Sequence, residues 1–489
     1  MMKDETALFG WRFDNSYSRL PAAFYSRVNP TPVTEPRLVL VNRPLAQSLG
    51  LDATAFTNPE AAAYFTGNLI FTRAEPIAQA YAGHQYGNLI RLGDGRAILL
   101  GEHVTAAGQR IDVQLKGAGP TPYSRRGDGR AALGPMLREY LISEAMHALG
   151  IPTTRSLVVA TTGEPVFREQ PLLGAVLTRI AASHIRVGTF EYFAALGNTD
   201  NLRVLTDYTL RRHFPGHLEA ENPVLEMLKE VIERQAFLVS QWMRVGFVHG
   251  VMNTDNVALS GETIDYGPCA FIDSYDPATV FSSIDHHGRY AFGQQPGISG
   301  WNLARFADAL LPILDPKPDT ALAKANDALE NFAGRFQYHW LAAMRGKLGL
   351  FTVEPEDAAL AEELLTWMHK SSADYTHTFR NLRPNAELEP SASAEAAFTI
   401  WHRRWTERLA RQPQPSTEVV RLMNANNPAV IPRNHEVDVA LAAAVAVDLK
   451  PLEQLLEALA RPYEEAGQPD GLLNPPLSGT PVCRTFCGT

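Results

Sequence analysis

Cysteine is scarce: there are three among 489 residues, Cys269, Cys483 and Cys487. A secreted disulfide scaffold of this length needs more, so a reducing compartment is expected. The last two form C-x-x-x-C, one residue longer than the C-x-x-C redox motif, and two thiols alone do not close a zinc site. Long apolar runs are missing as well. No stretch approaches the roughly 18 apolar residues of a membrane span, and the opening MMKDETALFGWRFD carries charge where a signal peptide has its apolar core. The expectation is a soluble, cytoplasmic protein with no membrane partner. Basic charge is not in excess either: Lys plus Arg number 44 against 53 Asp plus Glu, a net charge of −9. That balance argues against a dedicated nucleic-acid binder, which needs a strongly basic surface. G-x-x-x-x-G-K-[ST] does not occur, which disfavours a P-loop enzyme.

What is present is an ordinary folded composition, 45% hydrophobic and 20% charged, with ample material for a large core. Residues 1–80 carry repeated prolines and read as an irregular N-terminal extension with a small helix around NRPLAQSLG. From about residue 88 the texture changes. NLIRLGDGRAILLGE suggests two short strands about the turn Gly93-Asp94-Gly95, and RIDVQLKG alternates Ile111, Val113 and Leu115 inward before Lys116. ALGPMLREYLISEAMHALG has helical spacing, and SLVVATTGEPVF and GAVLTRI are further strands, so 88–181 reads as a sheet with one inserted helix. Helices dominate beyond 190. NPVLEMLKEVIERQAFLVSQWMRVG is capped by Asn222, starts on Pro223 and stops at Gly246. The division expected is 1–80, a β-rich unit over 81–190, a helical unit over 191–385, and a helical C-terminal extension with a Cys-containing tail over 386–489.

The long helix leads into HGVMNTDNVAL, residues 249–259, which has the H-to-N spacing of the phosphotransferase loop H-x-D-x-x-x-x-N but Val251 where the catalytic acid belongs. Asn256 and, after a short return, Asp265 offer an amide oxygen and a carboxylate, the hard donors that Mg²⁺ needs. Lys116 at a strand end, with Glu139 or alternatively Glu144 on the following helix to orient it, supplies an ion pair suited to holding polyphosphate. Glycine turn, strand lysine, helix glutamate, H-to-N loop and D-x-G follow in the order of a protein-kinase-like fold. Duller readings sit beside these. His249 reads as a packing residue, and Arg125, Arg126 and Arg130 are either a solvated run or phosphate supports. The adjacent His286 and His287 beside Asp285 point in different directions and make a poor metal site.

The stretches AYAGHQYGN, LGDGRAILLGE, QLKGAGPTPYSRRGDGRA, SEAMHALGIPTTR, HGVMNTDN, DYGPCAFID and WNLAR resemble the selenoprotein O family of kinase-like protein adenylyltransferases over nearly the whole chain. The resemblance implies an α+β, protein-kinase-like bilobal fold with a β-rich N-lobe, a helical C-lobe and extensions at both ends. It implies that ATP binds flipped, so that AMP passes to Ser, Thr or Tyr hydroxyls of protein substrates, the enzyme itself included, and pyrophosphate leaves. Val251 then removes nothing required. Carried over, Gly93, Gly95 and Arg96 belong to the glycine-rich turn. Lys116, Asp128, Gly129, Arg179, Arg186 and Asp265 complete the ATP pocket, with Glu139 in ion-pair support. Asn256 and Asp265 hold Mg²⁺ or Mn²⁺. Asp255 is the implied proton acceptor, although a metal ligand or an orienting group is equally compatible with the residues themselves. The family also implies a redox-sensitive bond between Cys269 and Cys487. A conventional γ-phosphate kinase and a non-catalytic ATP-binding scaffold are the competing readings.

Overall fold

Strand-forming segments spread from residue 25 to residue 181 assemble into one eight-stranded sheet. The computed structural model describes residues 9–382, 384, 393–476 and 485. The sheet contains β1 (Tyr25–Arg27), β2 (Arg37–Val41), β3 (Ile77–Gln79), β6 (Ala97–Val104), β7 (Arg110–Lys116), β8 (Ala131–Ala132), β9 (Arg155–Phe167) and β10 (Pro171–Ala181). Its order is β1-β3-β6-β7-β10-β9-β2, with β8 against β10. The intervening β4 (Ala82–Gln85) and β5 (Asn88–Arg91) form a separate two-stranded hairpin. The turn Gly93-Asp94-Gly95 therefore does not join paired strands, as the sequence had suggested, because β5 pairs back onto β4 and leaves β6 to β7.

Both faces of the sheet are covered, which changes how its central strands read. In β7, Val113 and Leu115 are fully buried, and so are Asp112 and Gln114, which alternate with them. A strand buried on both sides loses the simple alternation of a half-exposed one, and its polar residues must be paired. Asp112 accepts from Arg212 at 2.6 Å and pairs with His184 at 2.9 Å. One face packs on α3 (Leu133–Ala148) through Leu137, Leu141, Val159 and Leu177. The other is covered by Phe9, Trp11, Phe13, Phe56, Phe65 and Phe71 together with α1 (Arg43–Ser48) and α2 (Ala61–Thr66). The reading of 1–80 as irregular is thus corrected: within it the segment 9–79 supplies three strands and the apolar cover of one sheet face. Burial of each such aromatic contributes about 1.5–3 kcal/mol.

Helices occupy most of the rest: α4 (Val187–Ala195), α5 (Thr199–His213), α6 (Pro223–Val245), α7 (Gln295–Leu314), α8 (Pro318–Leu348), α9 (Asp357–Ser371), α10 (Tyr375–Asn381), α11 (Ser393–Leu409), α12 (Ser416–Asn426), α13 (Asn434–Val445), α14 (Lys450–Leu459) and α15 (Asp470–Leu473). Asn222 caps α6 by accepting from the Leu225 amide at 3.0 Å, and Gly246 ends it in the left-handed region at φ 75°. Directly after it, β11 (Phe247–Val248) pairs with β12 (Ala270–Phe271), so the loop between them is tied at its base. The stretch LAAAVAVDLKPLEQLLEALA is split between α13 and α14, because the chain turns at Val447 with φ 73° before Pro451 opens the next helix. The expected boundary near 385–396 falls largely outside the described residues.

Candidate active site

Lys116 ends β7, between Ala97 of β6 and Leu177 of β10. Because strand side chains repeat every second residue, Lys116, Gln114 and Arg179 share the sheet face that α3 covers. From α3, Glu139 reaches down to meet them. Its Oε2 accepts from Lys116 Nζ at 2.6 Å, and its Oε1 accepts from Arg179 Nε at 3.0 Å and NH2 at 2.5 Å. Glu144, the alternative partner, is turned away and takes Arg155 in a two-pronged bond at 2.8 and 2.6 Å. Five residues is more than one helical turn, which puts the two carboxylates on different faces. Burial opposes the charge of Glu139, but Arg179 and Lys116 outweigh it and hold the carboxyl below its usual range.

Asp265 closes the cluster from the opposite side. Its Oδ1 accepts from Lys116 Nζ at 2.7 Å and Arg179 NH2 at 2.5 Å, and its Oδ2 from Arg186 NH1 at 3.2 Å. Burial again opposes ionisation, yet the three cations hold the carboxyl well below the usual carboxylate range. The residue sits at φ 64°, a left-handed conformation that Asp tolerates better than most side chains. Two carboxylates and three cations, all within ion-pair distance, form one network spanning β7, β10, α3, the segment before α4 and the β11–β12 return.

In front of this network lies a cavity of about 540 Å³. Gly93, Gly95, Arg96, Lys116, Asp128, Gly129, Arg179, Arg186, Asp255, Asn256 and Asp265 all line it, together with Arg125, Arg126 and Arg130. Glu139 stands behind Lys116. Above the cavity, the glycine turn and the 119–130 loop are pressed together. A side chain at Gly93 would meet the Tyr123 ring at 2.4 Å and one at Gly129 would meet the Gly119 backbone at 2.1 Å, both also at positive φ. Asp128 is half-exposed and is held by Arg168 at 2.8 Å, and that hydrogen bond keeps its carboxyl below the usual range.

The loop after α6 sets the floor. His249 is buried, with Nε2 2.9 Å from the Ile264 carbonyl, and burial lowers its pKa. It shapes the loop and does not face the cavity. Asn256 donates to the Val251 carbonyl at 2.9 Å, which uses its nitrogen and leaves its oxygen as the donor atom for a ligand. Asp255 is 8% exposed and its Oδ1 accepts no hydrogen bond; burial pushes its carboxyl up to about 6, against the pull of Arg186. Neither His286 nor His287 is part of the cavity lining, and both oxygens of Asp285 are taken by the backbone amides of Arg289 and Tyr290 at 2.9 and 2.8 Å.

Residues 8–460 match the family described as Protein adenylyltransferase SelO. The chain is also 56% identical over 481 residues to a protein nucleotidyltransferase YdiU of Syntrophotalea carbinolica, covering 98% of each chain. It is 57% identical to a protein of the same name from Geobacillus kaustophilus, covering 98% of this chain and 99% of the relative. The YdiU protein of Rhizobium meliloti is 56% identical at the same coverage. The chain belongs to the SelO family. It is a nucleotidyltransferase.

Within this SelO-family chain, several contributors to the cavity wall carry no site role in the sequence reading, among them Tyr81, Gln85, Asp94 and Asn253. Asp94 is 1% exposed, its Oδ1 has no hydrogen-bond partner, and burial pushes its carboxyl up to about 6. Arg186 lies over the Tyr81 ring at 4.5 Å and passes between Asp94 and Asp265. AYAGHQYGN was a visible signal for Tyr81 and Gln85, but no chemistry could be assigned to it without the fold.

Among the described residues, no group of three or more His, Cys, Asp or Glu side chains is arranged as a metal site. The donors around Asp265 nevertheless fit a hard divalent cation. Asn256 offers its amide oxygen and Asp265 a carboxylate in the same wall, the carboxylate oxygens being held by Lys116, Arg179 and Arg186. Cys269 is buried and its carbonyl accepts from Arg138 at 2.7 Å. Cys483 and Cys487 lie outside the described residues, but Thr485 between them is described. Its hydroxyl donates to the Pro268 carbonyl at 2.6 Å and its amide to the Phe281 carbonyl at 2.8 Å, which brings the tail to the residue before Cys269. No helix among the described residues is long and apolar enough to cross a membrane.

Proposed function

We propose that this chain transfers AMP from ATP to Ser, Thr or Tyr hydroxyls of protein substrates, itself included, on a kinase-like bilobal scaffold. The observation that carries the reading is a loop with Val251 in place of the usual acid, in one cavity with Lys116, Arg179, Arg186, Asn256 and Asp265, with Glu139 paired to Lys116 and Arg179 behind the wall. Such a site has lost one part of a γ-phosphate kinase and kept all that positions a nucleotide.

In this reading Lys116, Arg179 and Arg186 bind the phosphates, with the planar guanidinium groups suited to two-pronged contacts. Glu139 keeps Lys116 and Arg179 aimed into the cavity. Gly93 and Gly95 let the backbone approach the ligand where a side chain would collide with the 119–130 loop. Asn256 and Asp265 hold Mg²⁺ or Mn²⁺, which when bound neutralises phosphate charge. The acceptor oxygen forms a bond to the α-phosphorus, the bond from that phosphorus to the bridging oxygen breaks, and pyrophosphate departs. Asp255, on the floor of the cavity, takes or orients the hydroxyl proton. Most of the rate enhancement comes from position and charge, so the missing acid at 251 costs little.

ATP radiolabelled on the α-phosphate is expected to label a protein substrate or the enzyme, and ATP radiolabelled on the γ-phosphate is not. Label from the γ-position alone would restore the conventional kinase. Tight nucleotide binding with no label from either would leave a scaffold.

We further propose that Cys269 and Cys487 form a bond that restrains the segment after Asp265. The docking of Thr485 against Pro268 supports a tail bond at Cys269. Cys483 and Cys487 are each two residues from Thr485, and Cys487 is the partner that the family resemblance implies, with Cys483 as its competitor. Peptide mass spectrometry under oxidising conditions is expected to recover a linked 269–487 pair, with transfer lower than under reducing conditions. No linked pair and equal activity in both states would end the idea.

A further inference from the structure

Hairpin β4–β5 does not belong to the main sheet, and two strands alone are marginally stable in water. Its support comes from the catalytic loop. The His84 amide donates to Thr254 Oγ1 at 2.7 Å and the Tyr86 amide to Asn253 Oδ1 at 3.2 Å. The Thr254 hydroxyl donates to Glu191 Oε2 at 2.5 Å, and Glu191 Oε1 pairs with His84 Nδ1 at 2.5 Å, closing a ring between hairpin, loop and α4. Gln85 has its side chain beside the Asp255 carboxylate and lines the cavity.

Two glycines make this approach possible without being required by their own backbone. Neither Gly83 nor Gly188 has positive φ, so any residue could adopt their conformation. A Cβ on Gly83 would nevertheless lie 2.2 Å from Asp255 Oδ1 and 2.7 Å from its Cγ, and one on Gly188 would lie 1.9 Å from the Ala82 carbonyl oxygen. The carboxylate of Asp255 occupies the space where residue 83 has no side chain.

We infer that β4 is part of the transfer machinery, with Gly83 and Gln85 as positioning residues that set the place of the Asp255 carboxylate against the acceptor hydroxyl. This rests on the adenylyl-transfer reading, in which Asp255 meets that hydroxyl. Lys116 and Arg179 hold the nucleotide from the main sheet, apart from β4, whereas Arg186 donates to the Asp255 carbonyl at 2.8 Å, so a fault in β4 falls mainly on turnover and leaves the greater part of ATP binding in place.

The test is Gly83→Ala, which adds one methyl where the backbone already suits alanine. Displacing a reacting group by about 1 Å costs about 10²-fold, so kcat for AMP transfer is expected to fall by about that factor while KM for ATP stays within about threefold. In an Asp255→Ala background, where the two nearest colliding atoms are gone and only the Cβ contact at 2.9 Å remains, Gly83→Ala is expected to add much less than its effect in the wild-type enzyme, about threefold or under. Unchanged kcat, or a loss that multiplies fully with that of Asp255→Ala, overturns the inference. Amide hydrogen exchange supplies a readout independent of activity: faster exchange at residues 253–256 in Gly83→Ala, with α6 unchanged, supports the seating, and unaltered exchange refutes it. If the wild-type enzyme transfers no AMP, the functional reading falls and the exchange result still decides the role of β4. Should Gly83→Ala fail to fold, Gln85→Ala removes a single amide contact and is expected to lower kcat about tenfold at constant KM; wild-type kcat there counts against the inference.

Discussion

Asp265→Asn is expected to lower AMP transfer by about 10³-fold or more, the scale reached when a preorganised charge at a transferring phosphate is lost. Asn preserves the shape and tolerates the left-handed backbone at φ 64°, whereas alanine there adds strain unrelated to chemistry. The substitution removes the one negative charge shared by Lys116, Arg179 and Arg186, and with it the carboxylate oxygen offered to a divalent cation. Glu139 still neutralises Lys116 and Arg179, so the network loses one anion and keeps its packing. Transfer of α-labelled phosphate by purified Asp265→Asn, compared with wild type at saturating ATP and Mg²⁺, checks this. Transfer at the wild-type rate would remove Asp265 from the site.

How far such a site can be read before folding depends on what each residue's signal is made of. The helix from Pro223 to Val245 was legible at both ends, because Asn222, Pro223 and Gly246 act through their own backbone chemistry, which needs no tertiary context. Lys116, Asn256 and Asp265 stood out by spacing. The choice between Glu139 and Glu144 was open in the sequence and is decided by Arg155, a residue eleven positions beyond Glu144 that no helical pattern connects to it. Strands of three to five residues within 25–79 left no alternation to detect, and only pairing across the sheet reveals them. The same holds for β4. Its importance lies in a side chain that residue 83 lacks, and a glycine of ordinary φ announces nothing until Asp255 is seen lying on it.

Arg179→Met carries the largest expected effect on stability. Arg179 is 1% exposed, gives Nε and NH2 to Glu139 and NH2 to Asp265, and reaches Gln114 at 3.4 Å. Methionine of similar length fills the volume but leaves two carboxylates sharing Lys116 and Arg186. Removing one partner of a buried ionic network costs about 3–5 kcal/mol, which should appear as a lower urea midpoint at neutral pH. The sign of the pH dependence follows from Glu139. In the wild-type protein its carboxyl is held below the usual range against burial, chiefly by Arg179, so its contribution to stability is present above the unfolded carboxyl pKa of about 4.3 and fades as pH falls through the lower folded value. Without Arg179 burial gains the upper hand, the folded pKa rises, and the variant takes up a proton on folding. The deficit is therefore widest near neutrality and narrows below about pH 5. Parallel urea curves for the two proteins across that range test the assignment. A deficit that stays constant with pH would mean that Arg179 stabilises the sheet by packing alone, and that the Glu139 carboxylate takes its orientation from Lys116.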